Sequence, residues 1–176
     1  IGLIELATPA EPALVAPNRL AVITGWGDRT NGQGDYADAL YQVTVPLVSN
    51  ETCRAVYDPV GFGPITDGML CAGFEEGGKD ACYGDSGGPL MVNTAPGNWK
   101  QVGIVSSGLE CAAAKQYGTF ARVPFYTAWI VGPGTNTFVN GEITVSDDAG
   151  HVASVAKAVV TSEVRDLRRF LPLVKR

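Results

Sequence analysis

The chain has 176 residues, 22 glycines, 11 prolines, 45% apolar residues and a formal net charge of −5 at neutral pH. That length suits one domain with an appendage, and the acidic balance argues against a nucleic-acid partner. No signal peptide is visible, no apolar run is long enough to cross a bilayer, and the glycines and prolines suit many short strands joined by turns.

In chain order, Ile1–Leu6 reads as a short apolar strand. Its first residue is not Met, which predicts a segment upstream. Thr8–Asn18 is proline-rich and predicts an extended connection. Leu20–Gly27 predicts a strand ending in Gly25-Trp26-Gly27, followed by a polar turn region over Asp28–Asp35. Ala39–Val48 alternates and is β-branched, so a strand is predicted. Ser49 or Asn50 can cap a short helix through Tyr57. Asn50-Glu51-Thr52 matches an N-glycosylation sequon, a triplet that also recurs by chance. Further strands are predicted at Met69–Phe74, Pro89–Val92, Gln101–Val105 and Gly118–Val123, with a closing helix over Phe125–Val131.

Gly132–Thr137 reads as a linker. Beyond it, Val152, Val155, Val159, Val160, Val164, Leu167, Phe170 and Leu171 recur at helical spacing, and Pro172 would stop that helix. A tail helix from about 150 to 171, packing on a neighbour, is the preferred reading. Membrane contact of this tail is not expected. The competing reading starts a truncated β-domain at Phe138–Val145.

Cys53, Cys71, Cys82 and Cys111 allow three pairings. None forms a Cys-x-x-Cys pair and the single histidine, His151, lies far away. A zinc site is therefore not expected, and no metal or cofactor is assigned. Two disulfides and an oxidising compartment fit better.

The chemistry concentrates in Asp80-Ala81-Cys82-Tyr83-Gly84-Asp85-Ser86-Gly87-Gly88-Pro89. A serine hydroxyl is a poor nucleophile unless a base takes its proton and donors hold the developing oxyanion. A glycine-rich serine turn is also found as a plain turn, a phosphate cradle or the nucleophile elbow of α/β-hydrolases. The elbow needs a helix directly after the serine, but Pro89-Leu90-Met91-Val92 reads as a strand.

Gly84-Asp85-Ser86-Gly87-Gly88-Pro89 resembles the active-site motif of the trypsin-like (chymotrypsin-fold) serine peptidases. The resemblance covers Ile1 to about Val131. It implies an all-β fold: the second six-stranded barrel of the two-barrel architecture, closed by a C-terminal helix; the extension read as helical from its spacing lies outside the family pattern. Residues 1–131 would be the C-terminal half of the peptidase domain, and 132–176 the linker and extension. The family pattern pairs Cys53 with Cys71 and Cys82 with Cys111, each bridge contributing roughly 3 kcal/mol.

By the same resemblance Ser86 is the nucleophile, and the N–H groups of Gly84 and Ser86 form the oxyanion hole. Asp85 would partner the ammonium released by proteolytic activation, against the plainer reading of a turn aspartate bonding its own backbone. Asp80 would sit at the floor of the primary specificity pocket, beside Ala81, with Gly108 and Gly118 as its walls. Ser106, Ser107 and Gly108 would pair with substrate backbone as an added strand. Ser107 stands where the family usually has an aromatic residue, a loss that Tyr83 partly offsets. The triad aspartate would directly precede Ile1 and the histidine would lie further upstream. His151, with Asp147 or Asp148, is discounted as a base. The implied function is a secreted, extracellular or periplasmic endopeptidase, made as a zymogen and cleaving after Arg or Lys. Its partners would be peptide or protein substrates, the N-terminal half of the same domain, and protein inhibitors. The alternative is a non-catalytic peptidase-like binding module.

Overall fold

The computed structural model describes residues 4–131 and the backbone of two strands at 141–146 and 152–158. The chain divides into two compact units, Leu3–Thr127 and Ile1–Gly2 with Ala128–Arg176.

The larger unit is built on β1 (Glu5–Leu6), β2 (Leu20–Gly25), β3 (Tyr41–Val48), β4 (Met69–Ala72), β5 (Pro89–Ala95), β6 (Asn98–Ser107) and β7 (Gly118–Arg122). Strands β2 to β7 pair antiparallel in the order β5-β2-β3-β4-β7-β6, and β6 pairs back onto β5. The sheet is thereby a closed six-stranded barrel, as expected, and closure removes free edges within it. Strand β1 lies outside the closure and runs parallel to β6. Lys100 on β6 holds it through Glu5 (3.4 Å) and also reaches Glu11 (2.6 Å).

The period of two along each strand decides what fills the barrel. Ile23, Val45, Leu47, Leu70, Ala72, Leu90 and Val92 alternate inward and meet Val102 and Phe120 in one buried cluster. Burying each such aliphatic side chain contributes about 1.5–3 kcal/mol. A second cluster joins Cys53 and Tyr57 of helix α1 (Asn50–Tyr57) to Ile65, Cys71 and Tyr117. Ser49 caps α1 by accepting from the Thr52 N–H at 3.0 Å. The Cys53–Cys71 bridge fastens this helix to β4. Asn50 begins α1 and donates to the carbonyls of Thr66 (2.9 Å) and Met69 (3.2 Å), while its oxygen accepts from Arg122 at 2.9 Å. The sequon asparagine is thus bonded into the fold.

Two local expectations shift. The 8–18 connection contains a 3-10 turn at Pro12–Val15, because Pro12 presets a helical φ. Helix α2 starts at Val123, two residues early, and runs to Val131. Thr127 on α2 donates to the Ala7 carbonyl at 3.0 Å, which anchors the helix beside β1.

In the smaller unit β8 (Gly141–Ser146) and β9 (Val152–Ala158) form an antiparallel pair. This corrects the helical expectation for 152–158. The β-branched residues Ile143, Thr144 and Val145 stand opposite Val155, Ser154 and Ala153, so the paired strand satisfies backbone groups that helical spacing alone left undecided. The competing reading of a β start in this region fits better. The rest of the expected helix, the linker and His151 lie outside the described residues.

Candidate functional site

The serine turn is fixed from both sides. The Gly87 N–H donates to the Val105 carbonyl (2.9 Å) and the Val105 N–H to the Gly88 carbonyl (2.9 Å), which ties the turn to β6. Strand β5 begins three residues after Ser86, so the serine is not followed by a helix. The Cys82–Cys111 bridge, with Cα atoms 5.3 Å apart, closes the loop from the other end. Both disulfides are those that the resemblance implied.

Ser86 is exposed. The N–H of Asp85 donates to the Cys82 carbonyl (3.0 Å) and that of Gly88 to the Asp85 carbonyl (2.9 Å). Among the described residues, the N–H groups of Gly84 and Ser86 have no protein acceptor. Gly84 has φ +96°, and a Cβ there would stand 3.2 Å from the Tyr36 ring and 3.3 Å from the Gly27 Cα. Backbone conformation and crowding both demand glycine at this position.

The half-buried Asp85 carboxylate accepts from the N–H of Gly27 (2.8 Å) and of Cys82 (2.9 Å). A Cβ at Gly25 would lie 2.0 Å from its Oδ1, and one at Gly27 2.4 Å from its Oδ2. The two glycines of Gly25-Trp26-Gly27 therefore make room for Asp85. The tripeptide is plain in the sequence, but its cause is not. The signal was two glycines spaced by one residue at a strand end, which is a mark of close approach. An open cavity of about 400 Å³ reaches Asp85, with Gly25, Gly27, Tyr41 and Asp80 also in its lining.

A separate cavity of about 260 Å³ opens at Ser86. Asp80, Ala81, Tyr83 and Ser86 line it from the serine loop, and Ser106, Ser107, Gly108 and Gly118 from β6, the loop that follows and β7. Eight residues singled out in the sequence thus converge on one space. Asp80 Oδ1 accepts from the Ala81 N–H (2.8 Å) and Oδ2 from the Ala112 N–H (3.2 Å). Burial pushes the Asp80 carboxyl up to about 6, the two N–H bonds oppose that rise, and the nearby Asp85 charge adds to it. A Cβ at Gly118 would come 2.6 Å from Asp80 Oδ1, whereas one at Gly108 meets nothing within 4 Å. Gly118 thus makes room for the carboxylate and Gly108 leaves the cavity open.

Ser107 has more structure than a plain surface residue. Its hydroxyl lies 2.8 Å from Thr119 Oγ1, and Thr119 donates to the Ser107 carbonyl at 2.8 Å. Thr119 and Phe120 also line the cavity and were missed, because their place on β7 depends on barrel closure. Among the described residues, no three His, Cys, Asp or Glu side chains gather as a metal site.

A closed β-barrel carrying an exposed serine on a glycine turn, beside a cavity that holds a carboxylate, defines a serine-peptidase barrel. The Trypsin family model matches residues 1–130, and the chain belongs to that trypsin-like family. It is similar to the clotting factor G beta subunit of Tachypleus tridentatus, at 41% identity over 74% of this chain and 48% of that protein. It is 48% identical to trypsin Blo t 3 of Blomia tropicalis over 64% of this chain and 41% of the relative. Trypsin eta of Drosophila melanogaster is 47% identical over 66% of this chain and 41% of its own length. The chain spans less than half the length of these curated relatives.

Proposed function

We infer that the protein containing this chain is a serine endopeptidase that cleaves peptide bonds after Arg or Lys. The observation that carries this reading is the Ser86 cavity: an exposed serine at its mouth and the Asp80 carboxylate within it. A buried carboxylate is costly without a counter-charge, and a guanidinium or ammonium from the substrate supplies one. Arginine can bond it through two parallel N–H groups.

In this mechanism the substrate backbone lies along Ser106–Gly108 as an added strand, with its cationic side chain reaching Asp80. Ser86 Oγ attacks the carbonyl carbon while a histidine base takes the hydroxyl proton. The carbonyl oxygen becomes an oxyanion facing the N–H groups of Gly84 and Ser86. One such donor is worth on the order of 3–4 kcal/mol in the transition state. Collapse expels the amine, which takes the proton from the histidine, and leaves an acyl-enzyme on Ser86. Water then repeats the sequence to release the acid.

The histidine and its orienting aspartate come from the N-terminal half of the domain, outside residues 1–176. The chain's one histidine, His151, lies beyond the stretch that matches the family. Residues 132–176 are an appendage outside the catalytic unit. The protein is secreted as a zymogen, and activation delivers an ammonium to Asp85. The cavity of about 400 Å³ that reaches Asp85 supports this, since it has room for a chain end.

The test is a peptide-library cleavage profile of the activated parent protein, with and without Asp80→Ser. Cleavage after Arg and Lys that is lost in the variant, while Ser86 still reacts with a small acylating agent, is the expected result. A preference for Phe, Tyr or Leu at the cleaved position would defeat it. A non-catalytic peptidase-like binder would show no cleavage at all, and no acylation of Ser86 in the activated parent.

A further inference from the structure

We propose that the loop 28–36 is a positioning strap for the mouth of the Asp80 cavity, with Gly32 setting where the Tyr83 ring rests. This rests on the reading of that cavity as the site for a cationic side chain.

The loop is a closed unit. Buried Asp28 gathers it by accepting from the Thr30 N–H (2.6 Å), the Thr30 hydroxyl (2.7 Å) and the Gly34 N–H (2.7 Å). Arg29 and Asp35 pair across it at 2.8 Å. It then reaches the cavity at both ends of the Cys82–Cys111 bridge. On one side the Asp28 N–H donates to the Tyr83 carbonyl at 2.7 Å. On the other, Asn31 Oδ1 accepts from the Cys111 N–H at 3.1 Å. Tyr83 and Cys111 both line the cavity, so the strap holds two of its walls.

Between these anchors lies Gly32, at φ +86°. A Cβ there would stand 3.1 Å from the edge of the Tyr83 ring. The exposed ring therefore leans on a surface that has no side chain. A Cβ at 32 makes the ring give way by a few tenths of an ångström. Tyr83 is the exposed aromatic in the cavity lining, and its face offers apolar contact to the aliphatic stem of a long cation. Moving the ring changes that contact without touching Ser86 or Asp80.

A built-in control isolates this effect. Gly34 has the same φ, +86°, in the same loop, but a Cβ there meets nothing within 4 Å. Gly34→Ala carries the backbone strain without the ring contact. In the full-length activated enzyme, Gly32→Ala should raise KM for arginyl peptides about fivefold with kcat within twofold, and Gly34→Ala should not. In a Tyr83→Ala background the Gly32→Ala effect should vanish. Equal effects from Gly32→Ala and Gly34→Ala, or persistence in the Tyr83→Ala background, would overturn the proposal. Asp80→Ser separates the two levels of the argument. If it abolishes the arginine preference while Gly32→Ala changes nothing, only the strap fails; if it leaves the preference intact, both readings fall.

Discussion

The Asp80 carboxyl should titrate within the range where binding is easily measured, and that gives the sharpest check on the site. Its value is pushed from 3.8 up to about 6, chiefly by burial. A guanidinium ligand needs the ionised form and keeps its own charge at all pH values of interest. Affinity then follows the ionised fraction of the free protein. At pH 8 that fraction is nearly complete; at pH 5 it is about one in eleven, so the apparent Kd should rise about tenfold. The experiment is calorimetric titration of a small aromatic guanidine into the activated full-length protein carrying Ser86→Ala. An equilibrium readout avoids the titration of the histidine base, which would enter any rate. Asp80→Ser should give weak, pH-independent binding. A flat profile between pH 8 and 5 in the protein with Asp80, or a midpoint near 4, would refute the reasoning. The sign of the stability effect is opposite. Folding raises this carboxyl, so the folded state takes up the proton first. Stability from this group grows as pH falls through 6, reaches about 3 kcal/mol near the unfolded value, and is lost again as pH rises.

Residues 1–176 alone should not label at Ser86 with a fluorophosphonate, because loss of the base costs about a million-fold in a related geometry; rapid labelling would return attention to His151. Gly25→Ala should lower the thermal midpoint and cost about 1–3 kcal/mol, since its Cβ would lie 2.0 Å from Asp85 Oδ1, whereas Gly108→Ala should leave the midpoint within a degree or so. Asn50→Ala should lower the thermal midpoint and cost about 1–3 kcal/mol, as read by scanning calorimetry, because its amide serves Thr66 and Met69 and its oxygen accepts from Arg122. Deleting 132–176 from the complete enzyme should leave turnover of small substrates nearly unchanged; a large fall would mean the appendage supports the site.

The barrel strands were legible because alternation such as Val45, Leu47, Leu70 and Ala72 reports a face, and faces are local. The serine turn was legible because its glycines and cysteine sit close in sequence. What stayed hidden depends on distance along the chain. Gly25 and Gly27 signal a close approach but not that Asp85 makes it, and nothing near Asn31 signals Cys111. Thr119 and Phe120 join the cavity only because β7 pairs with β6. The tail misled for the reverse reason. Its valines satisfy helical spacing, but the partner strand 141–146 decided the outcome for 152–158.

Barrel closure also dictates when the turn that carries Ser86 can be secured during folding. Val22 pairs with Met91 and Leu70 with Phe120, so the seams join segments far apart in sequence. High contact order of this kind makes folding slow, in the range of milliseconds to seconds for small β domains. Gly87 and Gly88 bond Val105 as a continuation of the β5–β6 hairpin, but Asp85 reaches Gly27 only after β2 has met β5. Helix α1 and the β5–β6 hairpin, with the Val105 bonds at its base, can form early from local contacts, but the hold on Asp85 cannot. A chain whose β2 has not yet docked therefore displays Ser86 on a turn whose Asp85 carboxylate lacks the Gly27 N–H. The hold on Asp85 beside Ser86 therefore waits for the pairing of β2 with β5.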